Sequence, residues 1–375
     1  MQRGELILSG IVVRGYDFDA VEGSIVVEQG VIKELSEENL ESELSGIILP
    51  AFVNAHTHIG DTVAKEPPAL PLAQLVGPGG FKHRILAETP YAELVTAMRE
   101  TLADMFATGT QLFADFREGG IRGANALRAA LQLDTGGVKP RAKILGRPAD
   151  GMSADELDAL FALVDGMGMS SVADHDREDL QTVAAEVKCR DKLFALHAGE
   201  RTADDIDGAL ALEPDYIVHL LKASPQDFKR MQEKGIAAVV CVRANLVNGL
   251  GLPPVKQMLD AGLTVALGTD NVMLNTPDML TEMEFIAKLF RLDDTEVLRM
   301  CTLNAAQVLH EAETVGVLAE GKRANLVVIS TETANMRHVR DPVKGVVRRA
   351  TRNDIRAVLH EGTLYHYQEP VLETG

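Results

Sequence analysis

Four histidines and two acids stand out in this 375-residue chain by where they fall. His56 and His58 end an apolar run in "IILPAFVNAHTH". His197 ends the run in "LFALHAGE", with Glu200 three residues on; His219 ends "DYIVHL", and Asp270 ends "TVALGTD". Side chains alternate across a strand, so His56 and His58 face the same side. Two imidazoles on one face can chelate a metal ion, although such a pair alone is a weak sign. The later run ends strengthen it. Three imidazoles and one carboxylate make a site for one divalent metal that keeps a position open for water. A buried carboxylate costs free energy unless it is paired or metal-bound, which suits Asp270 to that set. A bound metal lowers the pKa of its water toward neutrality, and Glu200 then has a proton to move. His219 is either a further ligand or a base that holds the water.

The elements that must carry these residues follow a pattern. From about residue 47 to 310, short apolar runs alternate with helical stretches. The runs are "IILPAFVNAH", "QLFADF", "RAKILG", "MGMSSVA", "LFALHA", "DYIVHL", "IAAVVCV" and "LTVALGTD". Strands alternating with helices imply a parallel sheet, and eight such units imply a closed (β/α)8 TIM barrel, whose chemistry lies at the C-terminal strand ends. The clearest helix is "YAELVTAMRETLADMFATG", stopped by Gly109. Residues 5–46 read instead as short strands, with a hairpin turn at Gln29-Gly30. The C-terminal stretches "ANLVVIS", "VKGVVRRA" and "IRAVLHEGTLYHY" return to that style. The expected organisation is a barrel over residues 49–315 and a small β-sandwich-like domain built from residues 1–48 and 316–375. The segment from Gly60 to Pro90 is too long for a simple strand-to-helix loop, so substrate selection belongs there. It holds His83 between Lys82 and Arg84, a cluster that either meets an anionic substrate group or is a solvated face, the commoner case.

Bulk properties narrow the partners. The formal net charge is -18, which repels nucleic acid and anionic membrane surfaces. Neither a signal peptide nor a membrane span is legible. Three scattered cysteines, Cys189, Cys241 and Cys301, fit reduced thiols in a cytoplasmic protein. A small-molecule substrate is the expected partner, with association into a homo-oligomer open.

The motifs together resemble the amidohydrolase superfamily, within it the mononuclear deaminase branch that includes adenosine, cytosine, S-adenosylhomocysteine and aminodeoxyfutalosine deaminases. "PAFVNAHTH", "HAGE", "CVRANLVNGLGLPPV", "LGTDNVMLNTPDM" and "TLNAAQVL" followed by "GVLAEGKRANLVVI" carry the likeness over nearly the whole chain. The resemblance implies that His56, His58, His197 and Asp270 bind one divalent metal, zinc ahead of iron. It implies that Glu200 moves a proton to a ring nitrogen and that His219 orients the attacking water, with Asp270 helping to deprotonate it. Binuclear relatives carry a bridging lysine on the fourth strand; "GMGMSSVADH" offers none, and Lys143 falls in the third run. Arg243 and Asn245 follow the seventh run and join His83 as candidate substrate contacts. The family's Ser and Pro in that segment are Ala244 and Val242 here. Asn275 and Asp278 are expected to shape the eighth loop; Asp115, Arg117 and Glu118 lie near the second run's end without an assigned role. The implied reaction is deamination of a nitrogen heterocycle (purine, pyrimidine or nucleoside-like) with release of ammonia. The alternatives are cyclic amide opening or dechlorination on the same site, and an inactive barrel with a structural metal.

Overall fold

The computed structural model describes residues 5–42, 44–132, 140–149 and 153–366. Four strands come first: β1 (Leu6–Arg14), β2 (Asp19–Glu28), β3 (Val31–Ser36) and β4 (Ser45–Pro50). Then follow β5 (Phe52–His58), β6 (Thr110–Arg117), β7 (Arg141–Gly146), β8 (Gly166–Met169) and β9 (Leu193–Ala198). After them come β10 (Tyr216–His219), β11 (Ala237–Val240), β12 (Val265–Leu267) and β13 (Asp270–Asn271), and last β14 (Leu326–Ile329), β15 (Ile355–His360) and β16 (Thr363–His366).

Strands β5 to β13 form one nine-stranded sheet in the order β12-β11-β10-β9-β8-β7-β6-β5-β13. The pairs from β6–β7 through β11–β12, and β5–β13, run parallel. Helices separate most of these strands, so both faces are covered and the strands read as unbroken apolar runs. The two ends of the strand order, β12 and β13, are only Gly268 and Thr269 apart. Gly268 N donates to Val240 O and Thr269 N to His56 O, both at 3.0 Å, so the sheet curls until its last strand reaches its first. Residue 268 must be glycine: a Cβ there would sit 2.7 Å from His56 Cβ. Helix starts follow local chemistry. Ser224 caps Pro225–Lys234 through Asp227 N, with Pro225 in the first turn, and Gly235 ends it at φ 70°. The helix Tyr91–Ala107 stops before Gly109, at φ 86°.

The other sheet has the order β16-β15-β14-β4-β1-β2-β3, with strands from both sides of the parallel sheet in sequence. The sandwich-like domain expected there is, among the described residues, a single seven-stranded sheet. It surrounds one apolar cluster that includes Leu8, Ile25, Ile32, Ile48, Leu326 and Leu359. Gln29 and Gly30 join β2 to β3 with φ 54° and 78°, as a primed two-residue hairpin requires. One stretch read as strand is not: "VKGVVRRA" lies in the helix Pro342–Arg349. Asp341 caps it through Lys344 N, Pro342 presets its first turn, and Val343, Val346 and Val347 form one buried helical face. The β-branched residues suggested a strand, but their three- and four-residue spacing is that of a helix.

The chain divides into two compact units: Met1–Val53 with Phe106–Gln111 and Asp278–Gly375, and Asn54–Met105 with Leu112–Pro277. No helix among the described residues is long and apolar enough to cross a membrane. Cys189 is exposed and Cys241 and Cys301 are buried, and none of the three is in a disulfide.

Candidate active site

Every residue of the site belongs to the second unit. His56 and His58 end β5, His197 lies in β9, His219 ends β10 and Asp270 opens β13. The ligating nitrogens of His56, His58 and His197 all lie within 4.8 Å of one another. His56 Nε2 is 3.3 Å from both His197 Nε2 and Asp270 Oδ1, and His58 Nε2 is 3.5 Å from Asp270 Oδ1. Phe116 packs edge-on beneath the rings, 4.3 Å from His56 and 5.0 Å from His197 between centroids. His219 and Asp270 adopt left-handed backbone, φ 79° and 62°. Such conformations are uncommon for residues with a side chain and cluster where function fixes a geometry.

What lies behind each ring decides which nitrogen is bare. His197 Nδ1 donates to Met169 O at 2.8 Å. His58 Nδ1 faces Phe116 O at 3.1 Å and Glu118 Oε1 at 2.7 Å. Those oxygens only accept, so both rings carry their proton at Nδ1 and present a lone pair at Nε2. Burial lowers the pKa of all three imidazoles, with His58 pushed down to about 3. Asp270 is also buried. Burial opposes its charge, but the His56 hydrogen bond and the surrounding rings outweigh this and hold it below the usual carboxylate range. Bare nitrogens and a carboxylate converge with too few protons to satisfy them. That donor set fits a cation, and imidazole with carboxylate suits zinc or a similar divalent ion.

His219 is backed in the opposite sense. Asn245 Nδ2 lies 3.1 Å from its Nδ1, and an amide that donates there leaves the ring proton on Nε2. Nε2 is 3.6 Å from Glu200 Oε1 and 4.0 Å from Asp270 Oδ2. Burial, reinforced by the charge of Asp270, raises the Glu200 pKa against the pull of His219, so this carboxyl holds a proton more readily than an exposed one.

A cavity of about 410 Å³ opens onto the site, lined by His58, His197, Glu200, His219 and Asp270 together with Lys82, Arg147 and Arg201. The remaining sequence candidates fall elsewhere. His83 lies in the helix Phe81–Glu88 and lines a separate cavity of about 270 Å³ with Arg117, Glu118 and Arg122. Its neighbour Lys82 faces the larger one. Arg243 is buried, with Nη2 donating to Thr276 O at 2.8 Å, and Asn245 stands behind His219. Neither lines the larger cavity. Asp278 caps the helix Met279–Phe290 through Leu280 N. Sequence reasoning assigned nothing to Lys82 or Arg147 alone. Lys82 stood in a noted basic cluster, and Arg147 follows the third run in "GRPAD", where its position was the available signal.

The model of the amidohydrolase family matches residues 47–364. A protein of Methanocaldococcus jannaschii is 34% identical over 93% of this chain and 96% of its own. The 5-methylthioadenosine/S-adenosylhomocysteine deaminase of Caldicellulosiruptor saccharolyticus is 25% identical over 96% of this chain and 93% of its own. In three dimensions, an adenosine deaminase from Xanthomonas campestris with bound zinc superposes with a TM-score of 0.80 at 19% identity, over 99% of this chain and 94% of its own.

Proposed function

The chain belongs to the amidohydrolase family, and from that premise we propose that it deaminates a nitrogen heterocycle, a purine, pyrimidine or nucleoside-like molecule, with release of ammonia. It is a hydrolase of carbon–nitrogen bonds that acts on a small molecule. The observation that carries the finer reading is the convergence of bare imidazole nitrogens and a buried carboxylate beside Glu200, whose pKa burial raises. We read the curled sheet as a closed (β/α)8 barrel over residues 49–315, flanked by the two parts of a small β domain, 1–48 and 316–375.

His56, His58, His197 and Asp270 would hold one divalent metal, zinc ahead of iron. Bound there, the ion supplies Lewis acidity and makes a water nucleophilic near neutral pH. The chain's own residues do the rest. His219 donates from Nε2 to the attacking oxygen and orients it. Asp270 Oδ2 accepts the proton that the water gives up. Glu200 delivers a proton to the ring nitrogen beside the attacked carbon, which becomes electron-rich as the oxygen adds. Asp270 passes the proton it took to the amine, the C–N bond breaks to release ammonia, and the hydroxyl proton returns to Glu200 as the carbonyl forms. The cavity is of the size that encloses small-molecule ligands, and its lining is of mixed charge, with Lys82, Arg147 and Arg201 facing Asp174, Asp204 and Asp205 besides Glu200 and Asp270.

An ammonia-release assay over purines, pyrimidines and their nucleosides, run on metal-loaded chain, tests the reading. Stoichiometric ammonia with the matching oxo product is expected for at least one substrate. Ring opening or chloride release without ammonia on a wider panel contradicts it, and inertness across both panels supports the inactive barrel instead.

A further inference from the structure

Beside the converging nitrogens lies a buried charge network that the proposed reaction leaves unused. Glu118, 5% exposed, is at its centre. Its Oε1 lies 2.7 Å from His58 Nδ1, which also faces Phe116 O at 3.1 Å, and accepts from Lys82 Nζ at 2.7 Å; its Oε2 accepts from Arg117 Nη2 at 2.9 Å. Arg117 is fixed in turn, with Nη1 3.3 Å from Asp115 Oδ2. Residue 60 is glycine because a Cβ there would meet that guanidinium at 2.2 Å. Asp115 Oδ1 accepts from Ile59 N at 2.6 Å, which ties the network to the residue after His58. Lys82, 3% exposed, arrives on the helix Phe81–Glu88 and also lines the larger cavity. Buried ion pairs are weak stabilisers, because desolvation offsets much of their attraction. A network of this depth is better explained by what it positions.

We propose that Glu118 is a positioning residue for the metal site, fixing the ring orientation and tautomer of His58, and that Lys82 and Arg117 hold its carboxylate against that ring. The inference rests on the reading of His58 as a metal ligand. A carboxylate behind an imidazole keeps the proton on Nδ1, leaves Nε2 bare and makes the ring a stronger electron donor. Among the described residues, His197 Nδ1 has the Met169 carbonyl for that purpose and no carboxylate. The helix carrying Lys82 is thereby linked to a metal ligand through two hydrogen bonds.

Two measurements test this: zinc affinity by competition with a chromophoric chelator, and the His58 tautomer by ¹⁵N NMR of the metal-free wild-type chain. Glu118→Gln is expected to weaken zinc binding roughly 10–100-fold with an unchanged circular dichroism spectrum. Lys82→Met should lose less in the same direction, and excess zinc should restore turnover to Glu118→Gln. The wild-type His58 should be protonated at Nδ1. Wild-type zinc affinity in a folded Glu118→Gln chain overturns the proposal, as does a wild-type His58 protonated at Nε2. The NMR arm needs no variant and can overturn the proposal even where Glu118→Gln fails to fold; since Phe116 O also favours Nδ1–H, the zinc affinity is what assigns the effect to Glu118. A wild-type chain that binds no zinc overturns the metal-site reading and this one with it; zinc binding that Glu118→Gln leaves unchanged overturns this one alone.

Discussion

The end of β5 and the end of β10 present the same residue type in the same place, and the two are built for different work. His58 and His219 are both buried histidines on parallel strands, and both line one cavity. Behind His58 stand acceptors, Phe116 O and Glu118 Oε1; behind His219 stands the amide of Asn245. An acceptor at Nδ1 leaves Nε2 as a lone pair, which a metal can use. A donor at Nδ1 leaves Nε2–H, which an oxygen can use. The partner two bonds away from the chemistry therefore separates a proposed ligand from a proposed water-orienting group, where the sequence motif alone shows two histidines at strand ends.

The largest expected effects test whether the two ends differ at all. His58→Ala should abolish both bound metal and turnover. Glu200→Gln should lower kcat by about 10²–10⁴-fold, the usual share of a general acid, while leaving the metal in place. Metal analysis beside the rate separates the two outcomes. A Glu200→Gln chain that turns over at the wild-type rate breaks the proton-transfer assignment.

A finer test reverses the backing at one end. Asn245→Asp puts an acceptor behind His219, so its proton moves to Nδ1 and the donor at Nε2 is lost. Turnover should fall roughly 10–100-fold with zinc stoichiometry unchanged. An Asn245→Asp chain with wild-type kcat would mean that the backing does not set the role of His219.

The smallest effect concerns stability alone. Asp61 is buried beside the β5 end, accepting from Asn271 Nδ2 at 2.7 Å and Met273 N at 2.9 Å. Burial raises its pKa to about 7 in spite of the Lys82 charge. The folded pKa exceeds the unfolded one, so the contribution is fully present below the ordinary 3.8 and is lost as pH rises through about 7. Asp61→Asn, neutral at every pH, should flatten the fall in denaturation midpoint between about pH 4 and about pH 7. An equally steep fall in that variant assigns the slope to another group.

Much of this was legible because parallel strands covered on both faces read as apolar runs, and the chemistry-bearing residues sit where those runs stop. His197, His219 and Asp270 could be placed on strand ends from that alone. Three features could not be read. The helix Pro342–Arg349 hid in a run of valines whose spacing outweighs their β-branching. Lys82 and His83 are sequence neighbours, but helical rotation sends them to different cavities, and eight residues with weak periodicity do not fix that rotation. Glu118 meets His58 across 60 positions of chain, a contact that depends on the register between two strands and on Lys82 arriving from a third element. Local spacing carries no signal for either contact.

Metal content measured together with turnover tests the central claim most directly. Purified chain, loaded with zinc and freed of excess, should hold about one ion per chain, as a single three-histidine and one-carboxylate site requires, and should release ammonia from a heterocyclic amine; Glu200→Gln should hold the same ion and release ammonia about 10²–10⁴-fold more slowly. No bound ion, two ions per chain, or ammonia release that persists after chelation would contradict the account.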